Sequence, residues 1–127
     1  MPEQNIFEYA VIRVVPRVER EEFINVGVIL FCARQKFLKA VIYLHEDKIL
    51  AFAPDIEIPF LSDNLNAIVK ICEGGKDAGP IGLLDGASRF RWLTATRSTV
   101  VQASKVHPGF CKDADETLQK LVKELVL

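Results

Sequence analysis

The stretch Phe23–Cys32, which reads Phe-Ile-Asn-Val-Gly-Val-Ile-Leu-Phe-Cys, is almost uninterrupted apolar sequence rich in Val, Ile and Phe. A β-strand that is buried on both faces has this composition, because neither face can accommodate alternating polar residues. We therefore predict that this stretch is the central strand of a sheet, with a strand on each side of it. Gly27, in the middle of the run, predicts a bulge or the close approach of another backbone.

Two further strands are predicted close to this stretch in sequence. Phe7–Val15 has the alternation of a largely covered strand, and Pro16 ends it because proline cannot donate a hydrogen bond to a sheet. Phe37–Leu44 follows a short polar turn. Short turns between three consecutive strands indicate an antiparallel arrangement with Phe23–Cys32 in the middle.

The second half of the chain predicts helices, because its apolar residues recur at helical spacing. Helices are predicted at His45–Ala53, at Pro59–Glu73, after the capping residue Asp85, and after Asp113 or Asp115. Ser98–Ala103 predicts a fourth strand, whereas Lys105–Cys111 is predicted to be a loop around His107-Pro108-Gly109. We therefore predict a single α+β domain over residues 1–127, with a three- to four-stranded, mainly antiparallel sheet and helices packed on it.

Cysteine usage and hydropathy predict where the protein resides. The 127 residues include three cysteines, Cys32, Cys72 and Cys111, which lie far apart in sequence. An odd number of isolated cysteines predicts free thiols in a reducing cytoplasm, not a disulfide framework. The sequence has no apolar run of the roughly 20 residues that a membrane span needs, and no secretory signal pattern. These features predict a soluble, cytoplasmic protein.

Charge is unevenly distributed along the sequence although the formal net charge is only −1. Glu46–Asp85 carries eight acids and three lysines, a net charge of −5, whereas Ser88–Lys112 carries five basic residues and no acid. The low net charge argues against a general attraction to nucleic acid. The simplest interpretation is that the two segments pair with each other or are solvated separately.

Ser88–Lys112, which we call the basic segment, contains the side chains best suited to binding a ligand. The candidate binding residues are Arg89, Arg91, Trp92, Arg97, Ser98, Thr99 and His107. Guanidinium groups and hydroxyls together suit the oxygens of a phosphate or carboxylate, and Arg with Trp suits base stacking or a protein interface. We predict that Arg97, Ser98 and His107 lie near one another. The alternative is that the aromatic residues are core and that the arginines cover them or pair with acids.

Catalysis and metal binding find less support in the sequence. His107 on a loop beside Arg and Ser could act as a general base, but it could equally hold the following turn through a backbone hydrogen bond. A metal site would need ligands from separate elements, and no Cys-x-x-Cys pair exists. We therefore predict no catalytic residues, no metal and no cofactor.

Three segments of the chain, Tyr9–Phe31, Gly74–Leu83 and Arg89–Gly109, resemble a bacterial family known as domain of unknown function 3037. The most specific matches are Glu22-Phe23-Ile24-Asn25-Val26-Gly27-Val28 and Arg89-Phe90-Arg91-Trp92-Leu93-Thr94. The chain departs from the family pattern at Thr96, where the family has Pro, and at Pro108, where it has Thr.

The resemblance implies a partner more than an activity. Genes of this family often lie beside genes for HipA-like serine/threonine kinases, which implies a partner or regulator of such a kinase. We therefore expect a non-catalytic accessory domain that presents Arg89–Lys105 to an acidic or phosphorylated protein, with no membrane role. Nucleic-acid binding through the same region, or an enzyme that uses His107 on a phosphate-bearing small molecule, are the alternatives.

Overall fold

The computed structural model describes residues 4–97 and 99–127 and has a five-stranded antiparallel sheet with helices on both faces, an α+β fold. The strands are β1 (Asn5–Val14), β2 (Ile24–Cys32), β3 (Phe37–Ile42), β4 (Val101–Ala103) and β5 (His107–Cys111). The helices are α1 (Glu46–Phe52), α2 (Ile58–Glu73), α3 (Gly79–Gly82), α4 (Gly86–Leu93) and α5 (Ala114–Leu125), with 3-10 turns at Val18–Arg20 and Lys76–Ala78. The sheet has one strand more than the sequence predicted.

β2 lies in the interior of the sheet, as its apolar composition predicted. The strand order is β3-β2-β1, and both β4 and β5 pair with the other edge of β1. Val28, Ile29 and Leu30 are almost completely inaccessible to solvent. The prediction of strands on both sides of β2 is therefore confirmed.

Gly27 lies beside a β-bulge and under a closely approaching backbone. Gly27 opposes Ile12 of β1, but Asn25 opposes Arg13, so Val26 is the extra residue. A Cβ atom at position 27 would lie only 2.6 Å from the carbonyl oxygen of Val41 on β3. Both features expected from a glycine in this strand are present.

The two faces of the sheet pack against different helices. One core contains alternate residues of β1 and side chains of α1, α2 and α4: Ala10, Ile12, Val14, Ile49, Leu61, Leu65, Phe90 and Leu93. The other core contains the opposite face and α5: Phe7, Val28, Leu30, Cys32, Cys111, Leu118 and Val122. Because successive strand residues point to opposite faces, both sides of β2 require an apolar side chain, which explains its unbroken apolar sequence.

The predicted capping residues begin their helices. The carboxylate of Asp85 accepts a hydrogen bond from the backbone N–H of Ser88, at 2.7 Å, and α4 follows. Asp113 caps α5 in the same way by accepting from Asp115 and Glu116. These side chains satisfy N–H groups that a helix leaves unpaired at its first turn.

The prediction of a loop at Lys105–Cys111 is wrong, because His107–Cys111 is the edge strand β5. Pro108 and Gly109 suggested a turn, but tertiary contacts override this preference. Proline is tolerated on an edge strand, where its nitrogen need not donate to a neighbour. Gly109 lies beneath the ring of Phe7, since a Cβ there would be 2.6 Å from its Cζ. The fourth strand also starts later than predicted, at Val101.

Candidate functional site

The guanidinium of Arg89 is held by backbone carbonyl groups. Its Nη1 donates hydrogen bonds to the carbonyl oxygens of Ile71, at 2.8 Å, and Cys72, at 2.6 Å. Its Nε donates to the carbonyl oxygen of Leu84 at 3.0 Å. The carbonyl oxygens of Ile71 and Cys72 belong to the last turn of α2, where no N–H group of the helix is left to donate to them. Arg89 therefore joins α4 to the end of α2.

Arg91 forms a bidentate ion pair with Glu8 of β1. Its two Nη atoms each lie 2.9 Å from an oxygen of the carboxylate. These hydrogen bonds raise the pKa of Arg91 above its ordinary value. Because the pair is exposed, its contribution to stability is about 0–1 kcal/mol, but its geometry fixes α4 against the sheet.

Arg97 caps α4 and stacks on the aromatic ring of Trp92. Its guanidinium carbon lies 4.4 Å from the centre of the Trp92 ring. Its Nη atoms donate hydrogen bonds to the carbonyl oxygens of Trp92 and Leu93, in the last turn of the helix. A guanidinium over a Trp face is a favourable cation–π arrangement. Arg97 covers one face of the indole, and Trp92 as a residue is still 43% exposed.

Trp92 and Arg97 form one wall of an apolar groove of about 550 Å³, which we call the α2–β4 groove. Its floor is the sheet, at Ile12 and Ile29. The opposite wall is α2, with Phe60, Asn64, Ala67, Ile68 and Ile71, and the third side is residues 99–103. A volume of this size suits a small apolar group or the side chains of a bound peptide.

α2 forms its wall of the groove with a second apolar stripe. Phe60, Asn64, Ala67 and Ile71 follow one another at intervals of four, three and four residues, so they lie on one face of the helix. The neighbouring stripe of α2, which contains Leu61 and Leu65, packs into the core. The spacing of Phe60, Ala67 and Ile71 was the signal that could have indicated this second face.

The polar groups at the rim of the groove already have partners within the chain. The hydroxyl of Thr99 donates a hydrogen bond to the carbonyl oxygen of Val101 at 2.7 Å. The side-chain amide of Gln102 donates to the carbonyl oxygen of Thr99 at 2.8 Å, and that of Asn64 donates to Phe60. The groove is therefore preorganised for an apolar group.

His107 lies on β5, away from the groove. It pairs with Tyr9, and the centres of the two rings are 5.3 Å apart. Val101 pairs with Val14, five positions further along β1, a separation of about 17 Å along the strand. The strand register therefore does not bring His107 to Arg97, and the prediction for Ser98 lies outside the described residues.

The two charged segments do not pair with each other in the part of the chain that the structure describes. The ion pairs there are Arg20–Glu22, Lys39–Asp115 and Arg91–Glu8.

Within the same described residues, no three His, Cys, Asp or Glu side chains converge in a way that could hold a metal ion. No described helix combines the length and the apolar character needed to cross a bilayer.

Comparison with known proteins assigns the chain to a family. No curated protein and no solved structure matches it. A family model described as "Protein of unknown function (DUF3037)" matches residues 9–126, nearly the whole chain. The matched range contains all strands except the first four residues of β1, and it contains every side of the α2–β4 groove. The chain therefore belongs to this family of unknown function.

Proposed function

We propose that this chain is a non-catalytic protein-binding domain whose α2–β4 groove receives an apolar side chain of a partner protein. The observation that carries the proposal is the exposure of two large aromatic residues at one apolar groove. Phe60 is 62% exposed and Trp92 is 43% exposed, and both line it. Exposed aromatic residues around an apolar pocket are characteristic of the residues that dominate binding energy at protein interfaces.

The contacts of the arginines favour this proposal over anion binding or catalysis. Arg89 and Arg97 donate to backbone carbonyls, and Arg91 pairs with Glu8. A phosphate would have to compete with these partners for each guanidinium. An apolar side chain can enter the groove without breaking any of these hydrogen bonds, because they lie within the protein framework.

The family resemblance supports one choice of partner. A HipA-like serine/threonine kinase in the cytoplasm is the first partner to test, and this choice rests on the resemblance alone. The domain would then act as an accessory subunit or regulator of the kinase. The proposal is specific about the binding surface, because the kinase would bind at the α2–β4 groove.

The test compares two glutamate substitutions on adjacent residues of α2. Ala67 lines the groove, whereas Asn66 is exposed on α2 outside it. Ala67→Glu places a charge in the apolar groove, and Asn66→Glu adds the same charge beside it. Wild type and both variants are used as affinity baits in a lysate of the native host. A captured protein, the kinase first, is then purified and titrated while the fluorescence of Trp92, the only Trp, is recorded.

We expect wild type and Asn66→Glu to bind the partner with similar affinity and with a change in Trp92 fluorescence. Ala67→Glu should weaken binding by about 100-fold, because a charge must be desolvated in the interface. Equal binding of the two variants, or an unchanged Trp92 signal at saturation, would reject the groove as the binding site. A steep loss of affinity with salt for a single-stranded oligonucleotide would instead favour nucleic-acid binding.

A further inference from the structure

β4 has backbone N–H groups that point away from the sheet. The N–H of Val15 donates to the carbonyl oxygen of Val100, and the N–H of Ser104 donates to that of Val11. In an antiparallel ladder these hydrogen-bonded pairs recur at every second residue, so Gln102 is also turned toward β1. Val101 and Ala103 must then point their N–H groups outward. Neither has a hydrogen-bond acceptor within the residues that the structure describes.

The rest of this sheet edge is less suited to pairing. On β5, Pro108 opposes Glu8 between the hydrogen-bonded pairs, so its nitrogen faces outward, and proline has no N–H. The register between β1 and this edge also shifts by one residue between Ala103 and His107. Proline and irregularities of this kind are the means by which proteins protect free strand edges. The outward donors of β4 lack that protection.

The unprotected part of the edge borders the α2–β4 groove. Val101, Gln102 and Ala103 all line the groove. A further strand beside β4 would direct every second side chain to the groove side of the sheet, at intervals of about 7 Å. One of these side chains would lie between β4 and the exposed faces of Trp92 and Phe60. Backbone pairing and groove binding therefore suit the same extended segment.

The charged residues around β4 indicate the sign of the net charge that this extended segment should carry. Arg97 precedes β4 and the exposed Lys105 follows it, and Ser88–Lys112 contains no acid. Arg97 keeps its positive charge although its donors are occupied by neutral carbonyl oxygens. An acidic segment would be attracted to both ends of β4, whereas a basic one would be repelled.

We infer that the partner contributes an extended acidic segment, which adds a strand to the free edge of β4 and places one apolar side chain in the α2–β4 groove. The inference rests on the proposed function and adds to it the backbone pairing and the charge of the ligand. Strand addition of this kind obtains affinity from main-chain hydrogen bonds and specificity from pockets for alternate side chains.

The probe for the test is a synthetic peptide of about nine residues, within the usual range of strand lengths, in which Glu alternates with Val around one central Phe. A second peptide has the same side chains but N-methyl groups on alternate amides, which removes the donors and blocks strand pairing. A third has Lys in place of Glu. Binding is measured by Trp92 fluorescence, and the amide exchange of Val101 and Ala103 is followed by NMR.

Two variants of the domain give an independent measurement. Ala103→Pro removes an outward N–H without removing a hydrogen bond to β1, and Ala103→Val keeps the N–H while adding comparable bulk. We expect N-methylation and Ala103→Pro each to raise the dissociation constant about tenfold, since they delete one or two hydrogen bonds. Ala103→Val should change it less than Ala103→Pro. The unmethylated peptide should slow the exchange of the two amides. If Ala103→Pro fails to fold, the comparison of the methylated with the unmethylated peptide still tests strand addition.

The outcomes separate this inference from the proposed function. Equal binding of methylated and unmethylated peptides overturns strand addition, and the groove proposal survives if Ala67→Glu still abolishes binding. Loss of binding by Ala103→Pro without any effect of Ala67→Glu supports strand addition and rejects the groove. Equal binding of the Lys peptide overturns the acidic ligand. Absence of any Trp92 change up to about 1 mM unmethylated peptide overturns strand addition.

Discussion

At the scale of single residues, two of the three arginines of the basic segment, Arg89 and Arg97, stabilise helix ends. Arg89 donates to carbonyls at the end of α2, and Arg97 does the same at the end of α4. A cation near the C-terminus of a helix also interacts favourably with the helix dipole. A run of arginines in the sequence suggested an anion site, but these side chains bind the protein's own backbone.

Replacing Arg89 should therefore destabilise the fold. Arg89→Met removes three hydrogen bonds from a charged donor group, and we expect the free energy of unfolding to fall by about 1–3 kcal/mol. Chemical denaturation measures this change. Arg34→Met, in the exposed turn after β2, is the control and should have little effect. Equal stability of the two variants would contradict the capping role of Arg89.

The thiol of Cys72 should be unreactive in the folded protein. Burial raises its pKa to about 12, and the positive charge of Arg89 only partly opposes this effect. At pH 8 the thiolate fraction is then on the order of 10⁻⁴ of the thiol, and the thiolate is the species that is alkylated. Mass spectrometry of peptides after alkylation should show Cys72 unlabelled in native protein and labelled in denaturant. Rapid labelling of the native protein would contradict its position in the core.

The same pKa shift predicts how stability depends on pH. The thiol of Cys72 titrates near 9.0 when unperturbed and near 12 when folded. Between these values the unfolded chain has released the proton that the folded chain still holds. The contribution of Cys72 to the free energy of unfolding is therefore fully present below about pH 9 and is lost as the pH rises toward 12. A denaturation series over this range, with Cys72→Ala as the control, measures this contribution.

At the scale of elements, β2 depends on a glycine where β3 approaches it most closely. A Cβ on Gly27 would lie 2.6 Å from the carbonyl oxygen of Val41 and 2.7 Å from Cδ1 of Ile42. Backbone and side chain of β3 would both have to move.

Gly27→Ala should reduce the free energy of unfolding by about 1–3 kcal/mol, the usual cost of overpacking a core. Gly86→Ala is the matched control, because a Cβ there would meet side-chain atoms and no backbone, namely a ring carbon of Phe31 at 3.3 Å and Nη2 of Arg89 at 3.9 Å, and alanine favours the helix. Thermal and chemical unfolding of both variants measure the difference. A larger loss of unfolding free energy for Gly86→Ala than for Gly27→Ala would mean that the close contact between β2 and β3 does not limit which residue fits at position 27.

At the scale of the whole molecule, the sheet joins the two ends of the chain. β1 pairs with β2 beside it in sequence and with β4 and β5 near the other end. Helices on both faces pack against this one sheet. Neither core can be exposed without disrupting strands that the other core also covers, so we expect the chain to unfold as one cooperative unit.

Unfolding curves recorded by two probes should therefore coincide. Trp92 reports on α4 at one face of the sheet, and far-UV circular dichroism reports on all helices and strands. The midpoints in urea should agree, and the destabilised Gly27→Ala variant should shift both curves equally. Two separated transitions would show that part of the chain, α5 or the α2–α4 region, unfolds independently.

The sequence alone determined the elements whose pattern is local. The apolar run of β2, the stripe of α2 and the caps at Asp85 and Asp113 each depend on residues a few positions apart, so their identity could be read directly. Trp92, Arg97 and Thr99 were also recognised as candidate binding residues, and they do line one groove.

Only the tertiary structure decided the partners of these residues and the shape of the site. β5 exists because Pro108 and Gly109 fit the edge of β1 and the ring of Phe7, which is about one hundred residues away in sequence. Arg89 and Arg97 became caps because folding placed helix ends within their reach. The groove needs α2, α4, β1 and β4 together. Contacts between distant segments depend on how the whole core packs, and no local pattern of residues encodes them.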